Sequence, residues 1–245
     1  MNDFTDISSE INFTLKLTNE GKSIEAYNLI QDLVKNKENL LNNENWKLIG
    51  HLSLALGNVQ LAKVAYTKSN NLESLSFVQI LLNELDNAKD ILSNLNESPA
   101  SLWCNYLIEL FLKKQKITKM PTFFIIRHFM EFTVYYLLLS KNQMYLDLLV
   151  NNIGKLLPIN TDSEKLIGYA YLNYGDLDNA VRFLNNSLKR EKFDGEAYYK
   201  LGKIYYMKGL YQDSLAMLHN AQIILPEHYP AKELMEKVLL KLSQK

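Results

Sequence analysis

The sequence predicts an all-α solenoid of stacked helical hairpins, and three observations carry that prediction. The stretch "IGYAYLNYGDLDNAVRFLNNSL", which begins at Ile167, lands on "LGKIYYMKGLYQDSLAMLHNAQ" when shifted by 34 residues. Gly168 then meets Gly202, Tyr171 meets Tyr205, Gly175 meets Gly209 and Leu184 meets Leu218. Seven of the nine glycines (Gly21, Gly50, Gly57, Gly168, Gly175, Gly202 and Gly209) fall on just two positions of this template. Each repeat also reads as amphipathic helix, in a chain of 245 residues that is 47% hydrophobic and so able to fold throughout. Glycine in a helix interior costs about 1 kcal/mol relative to alanine. Its return at fixed places therefore needs a structural reason.

The reason is a hairpin of two antiparallel helices, A then B. The first glycine (Gly50, Gly168, Gly202) lies where the two backbones approach, opposite small residues on B such as Ala180 or Ser214. The second ends helix A, because the residue after a helix often takes the left-handed conformation that glycine adopts without strain. Asn83 in "LLNELDNAKDIL" stands at the same place in a weaker unit. Large apolar residues (Ile167, Leu184, Leu201, Leu218) fill the space between helices, and stacking of hairpins is obligatory because no single pair buries both faces.

Taken in order, the chain gives about fourteen helices. Two hairpins cover residues 6–70, and a shortened pair covers 72–95, where Ala88 trails Ala62 by only 26 residues. Ser98-Pro99 opens a helix through about Phe111 that has no evident mate, and "KKQKITKMP" (113–121) is a polar connection. An aromatic helix at 122–139 resumes the period, two clean repeats follow, and 229–242 is a solvated capping helix. The expected divisions are N-terminal hairpins at 1–97, an irregular seam at 98–126, C-terminal units at 127–228 and a cap at 229–245.

These residues resemble the tetratricopeptide repeat (TPR) family, whose 34-residue unit is patterned W-x2-L-G-x2-Y, then A-x3-F, then P. In the unit at 195–228, Tyr198 occupies the Trp slot, followed by Leu201-Gly202, Tyr205, Ser214, Leu218, Ala221 and Pro226. Pro158 matches Pro226 two periods earlier and marks a unit at 127–160, with Val134 and Lys141 in place of its glycines. The resemblance implies a right-handed superhelix whose A helices line a concave groove, a non-catalytic module and a protein or peptide partner.

Composition narrows the chemistry. The 27 basic and 27 acidic side chains balance, leaving no global field for nucleic acid or an anionic membrane. Cys104 is the single cysteine, so a disulfide within the chain and a four-thiolate zinc site are excluded. His51, His128, His219 and His228 have no metal-ligand spacing, and no phosphate-binding loop or G-x-S-x-G motif is present. The expectation is no enzyme activity, no cofactor and no metal. Met1-Asn2-Asp3-Phe4-Thr5-Asp6 places acids where a secretory signal would carry positive charge, so a cytoplasmic setting is expected. The apolar run at 122–139 carries Arg127, His128 and Glu131, which lipid would not accept. Asparagine is abundant and scattered, and reads as composition rather than chemistry.

Candidate functional positions follow from the family's groove-facing places, at unit positions 2, 5, 9, 12 and 13. They give Lys165, Tyr169, Tyr199, Lys203 and Tyr206 as a mixed aromatic–basic groove for a short peptide or partner helix. The alternative is that these tyrosines pack between adjacent A helices. Family members that clamp the acidic C-terminus of chaperones use Lys and Asn four residues apart; Tyr169 stands where that Asn would follow Lys165, which argues against such a clamp. The basic cluster Lys113, Lys114, Lys116, Lys119 and Arg127 reads as a solvated loop before RNA contact. Phe124, Phe129, Phe132 and Tyr136 on the aromatic helix either pack on the unpaired helix or form a self-association surface of a homodimer or larger complex.

Overall fold

A computed structural model describes residues 3–114 and 116–244. Met1 and Asn2 of the acidic N-terminal segment, and Gln115 of the basic loop, lie outside the described residues. Among the described residues there are fourteen α-helices, two short 3-10 turns and no strand, the all-α helical solenoid that the repeat predicts. They group into two compact units, residues 1–121 with 139–145 and residues 122–138 with 146–245.

The first unit holds α1 (Asp3–Asn19), α2 (Ser23–Asn36), α3 (Asn43–Ala55), α4 (Val59–Lys68), α5 (Leu72–Leu81), α6 (Leu85–Ser93) and α7 (Pro99–Phe111). Helices pair α1 with α2, α3 with α4 and α5 with α6, and α7 packs on both α5 and α6. Ile7, Ile11, Ile30, Leu33, Trp46, Ile49, Leu52 and Ala65 form its first core cluster. Helix starts are capped by short polar side chains. Asn42 makes a reciprocal capping box with Asn45, Asn58 caps α4, Asn71 caps α5, and Ser98 makes a box with Ser101 ahead of Pro99. Asn70 and Asn83 adopt positive φ after helices. Several of the asparagines thus do backbone chemistry, which corrects their reading as mere composition.

The second unit holds most of α8 (Phe123–Leu139) and α9 (Gln143–Asn151), then α10 (Ser163–Tyr174), α11 (Leu177–Arg190), α12 (Gly195–Met207), α13 (Tyr211–Ile224) and α14 (Tyr229–Ser243). Helices α10 and α11 pair, as do α12 and α13, and α14 packs on α13. Leu218, Ala221, Ala231 and Val238 form the core beneath α14, so the cap is docked by one face. Its outer face is less polar than the sequence suggests, with Leu240 62% exposed.

Both glycine positions have their predicted geometry. Gly175 has φ +94° and closes α10 as Asp176 N–H donates to the Tyr171 carbonyl at 3.0 Å. The same six-residue closure recurs from Asn58 to Ser53, Glu84 to Gln79 and Leu210 to Tyr205. Lys141 stands in the glycine slot with φ +54°, and Lys113 ends α7 with φ +53°. At the other position, a β-carbon on Gly202 would lie 2.7 Å from Leu218 Cγ, and one on Gly168 would lie 2.9 Å from Leu184 Cγ. On Gly50 it would lie 2.5 Å from the Tyr66 ring. The atoms closest to each added β-carbon belong to the large B-helix residue, which the small-residue spacing does not reveal. Ser214 also meets its glycine, donating its hydroxyl to the Gly202 carbonyl at 2.7 Å and tying B back to A.

Candidate partner-binding site

In the second unit, the sequence-derived groove positions lie on α10 and α12 and fall into two separate groups. Lys165 is only 14% exposed and lies 2.8 Å from Asp162 and 2.7 Å from Asp194. Asp162 also takes Arg127 at 2.7 Å, while Asp194 caps α12 by accepting the Ala197 N–H at 3.0 Å. Burial opposes the Lys165 charge, yet the hydrogen bonds and attraction of the two carboxylates prevail and raise its pKa. Lys165 is thus a brace between the starts of α10 and α12 rather than a cation on offer to a ligand.

Tyr169 is half-buried, and burial, with the Asp194, Glu196, Glu131 and Asp162 carboxylates around it, raises its hydroxyl pKa well above the ordinary tyrosine value. The Lys200 ammonium lies 5.4 Å from the centre of the Tyr169 ring and 5.7 Å from that of Tyr199. Nearby, Asn173 donates to Glu131 at 2.8 Å, and burial raises the Glu131 pKa against the pull of Lys200 and Asn173. Lys200 was missed by the groove positions because it stands one place beyond position 5. The signal for it was its place in "YYK" beside Tyr199, one helical step from the groove stripe.

Tyr199, Lys203 and Tyr206 form the other group. With Met207 of α12 and Pro230, Glu233, Leu234 and Lys237 of α14 they line an open cleft of about 400 Å³. Glu233 and Lys237 pair at 2.6 Å, whereas Lys203 is exposed and has no ion-pair partner among the described residues. The Tyr199 ring packs on His228 with centroids 4.6 Å apart, and Tyr206 packs on Tyr211 at 5.7 Å. His228 accepts the Ala231 N–H at 3.1 Å and contacts Glu196 at 3.1 Å, which holds the first turn of α14 beside the cleft.

The aromatic helix divides likewise. Phe124 is 77% exposed and Phe132 38%, Phe129 is half-buried against His128, and Tyr136 is 2% exposed. Burial removes Tyr136 from any association surface. In the basic loop, Lys119 pairs with Glu97 at 2.8 Å and Lys114 with Glu109 at 3.2 Å, so part of its charge is satisfied internally. Cys104 is buried, and burial with the nearby Glu73 charge pushes its thiol up to about 12. Among the described residues no helix is long and apolar enough to cross a membrane, and no group of three or more metal-ligating side chains converges.

No protein-family model and no curated protein matches the chain. Among solved structures, 97% of the chain is similar to 44% of a chain in the crystal structure of the APC/C hetero-tetramer Cut9–Hcn1, at 17% identity and TM-score 0.39. A tetratricopeptide repeat protein from Parabacteroides merdae ATCC 43184 is similar over 96% of this chain and 99% of its own, at 15% identity and TM-score 0.42. The TPR domain structure of P58(IPK) is similar over 95% of this chain and 64% of its own, at 16% identity and TM-score 0.36. The chain thus spans less than two thirds of the first and third of these. The 34-residue period, the small-residue and left-handed slots and the A–B hairpins make the chain an all-α helical-repeat protein with the tetratricopeptide-type fold.

Proposed function

We propose that the chain is a non-catalytic interaction module, an adaptor or assembly factor, whose second unit holds a peptide segment of a protein partner between α12 and α14. One observation carries this reading: Lys203 is an unpaired cation on a cleft walled by Tyr199, Tyr206 and Met207, while Lys165 and Arg127 on the same side are already neutralised. Tyrosine offers contact area with a polar tip at low entropic cost, and an exposed ammonium adds a partner for a carboxylate. The segment that fits places one apolar side chain on Tyr199, Tyr206 and Leu234 and an acidic group on Lys203. The single buried cysteine is in keeping with a cytoplasmic setting.

The test is an affinity purification with the full chain against the Lys203→Glu, Tyr206→Ala double variant, quantified by mass spectrometry. Loss of a discrete set of partners, with helical content retained, is expected. Retention of every partner overturns the cleft assignment. A second reading, a structural subunit assembled through the aromatic helix, is favoured by the 77% exposure of Phe124. Light scattering of Phe124→Glu beside the parent separates it, since a parent that stays monomeric at high concentration excludes self-association.

A further inference from the structure

The B-helix side of the second unit carries a second cleft, unrelated to the groove positions. Helix α11 packs on α10 and α12, and α13 packs on α12 and α14; between the two B helices lies a shallow, open cleft. Its lining is Asn185, Leu188, Lys189, Lys192, Tyr198, Met217 and Asn220, around a volume of about 680 Å³. Tyr198, the residue in the Trp slot of the repeat, comes from α12 and forms the floor together with Leu188 and Met217.

The polar groups of this cleft are conspicuous for what they do not bind. The side chains of Asn185, Asn220, Tyr198 and Lys192 have no hydrogen-bond or ion-pair partner among the described residues, and the Lys189 ammonium has only the Asn186 amide oxygen at 3.1 Å. The neighbouring cations behave differently: Arg190 is spent on Glu164 at 3.0 Å and Lys208 on Asp178. No carboxylate lines the cleft, although the chain as a whole is neutral. An apolar floor, two amides, a phenol and two uncompensated ammonium groups make a surface complementary to an acidic, apolar-anchored peptide. Nucleic acid is the weaker fit, because two lysines are too few to follow a phosphate backbone and the net charge supplies no supporting field.

We infer that the α11–α13 cleft is a second docking surface, which takes a peptide segment of a protein partner bearing Asp or Glu beside a leucine-like or aromatic side chain. It is independent of the α12–α14 cleft, so one chain can hold two segments at once and act as a bridge. The experiment is selection of a random peptide phage library on the immobilised full chain, followed by affinity measurement of the enriched peptides by fluorescence anisotropy. Enriched clones are expected to combine acidic with apolar residues. A family of them should lose about tenfold or more in affinity on Lys189→Glu, Lys192→Glu, and be unmoved by Lys203→Glu, Tyr206→Ala. Both lysines are exposed, so melting of the charge-reversed variant should match the parent; Met217→Glu, tested on the same peptides, blocks the floor instead of the rim. A library with no clone sensitive to these changes, or sensitive clones without acidic bias, overturns the inference. So does single-stranded RNA that binds through Lys189 and Lys192 while the peptides do not.

Discussion

At the scale of single residues, two backbone constraints explain the glycine pattern, and they respond oppositely to substitution. Gly202 is excluded from bearing a side chain by Leu218, whose Cγ would lie 2.7 Å from an added β-carbon and whose backbone nitrogen would lie at 3.4 Å. Gly202→Ala gains helix propensity of about 1 kcal/mol but overpacks the hairpin, typically at about 1–3 kcal/mol. Net destabilisation is expected in chemical denaturation. Lys141 presents the reverse case: a lysine at φ +54° pays the left-handed penalty that glycine avoids. Lys141→Gly should stabilise by about 1 kcal/mol, read in the same titration. The slots themselves were legible in the sequence because the repeat superposes them. The close approach of Leu184 to Gly168 was not, since helix rotation decides which large B-helix side chain lies over the glycine.

At the scale of elements, α7 is held differently from the A helices of the repeats. Seven residues before the left-handed residue that ends each A helix, the chain places Thr14, Gly50, Ser76, Val134, Gly168 and Gly202, while α7 places Tyr106. Tyr106 fills that slot and stacks on Trp103 with centroids 5.4 Å apart, and Phe111 at the end of α7 stacks on Tyr145 at 4.0 Å. The chain leaving α7 is latched by Glu109, 8% exposed, which accepts the Thr118 N–H at 2.7 Å, the Thr118 hydroxyl at 2.6 Å and the Lys114 ammonium at 3.2 Å. Burial works against this carboxylate, but the Thr118 and Lys114 donors outweigh it and hold the Glu109 pKa below the ordinary value of 4.5. A depressed carboxylate contributes stability that is present above the ordinary pKa and lost as pH falls through the folded one. Glu109→Gln should therefore cost about 1–2 kcal/mol at neutral pH. The gap between variant and parent should narrow on acidification, followed by thermal melts across pH.

At the scale of the molecule, stability is distributed hairpin by hairpin, because each pair packs chiefly on its neighbours. A defect should then stay local. In hydrogen exchange read by mass spectrometry, Gly202→Ala is expected to speed exchange in α12, α13 and the helices packed on them, leaving α3 and α4 unchanged. Uniform acceleration through all helices would show a single cooperative block instead. The same distribution leaves surfaces on both sides of the second unit free to differ in chemistry, the A-helix cleft around Lys203 and the B-helix cleft around Lys189 and Lys192.

The sequence alone determined the helical hairpin, its period and its stops, because glycine placement and apolar spacing are local, repeated signals that survive without coordinates. It also placed Tyr199, Lys203 and Tyr206 on one helix stripe. Only the tertiary structure decided which charges are free: Lys165 met Asp194 from the next repeat, 29 residues away, and became a brace, while Lys200 was drawn between Tyr169 and Tyr199. Ion pairing and burial across hairpins depend on side chains distant in sequence, and no periodicity within one repeat encodes them.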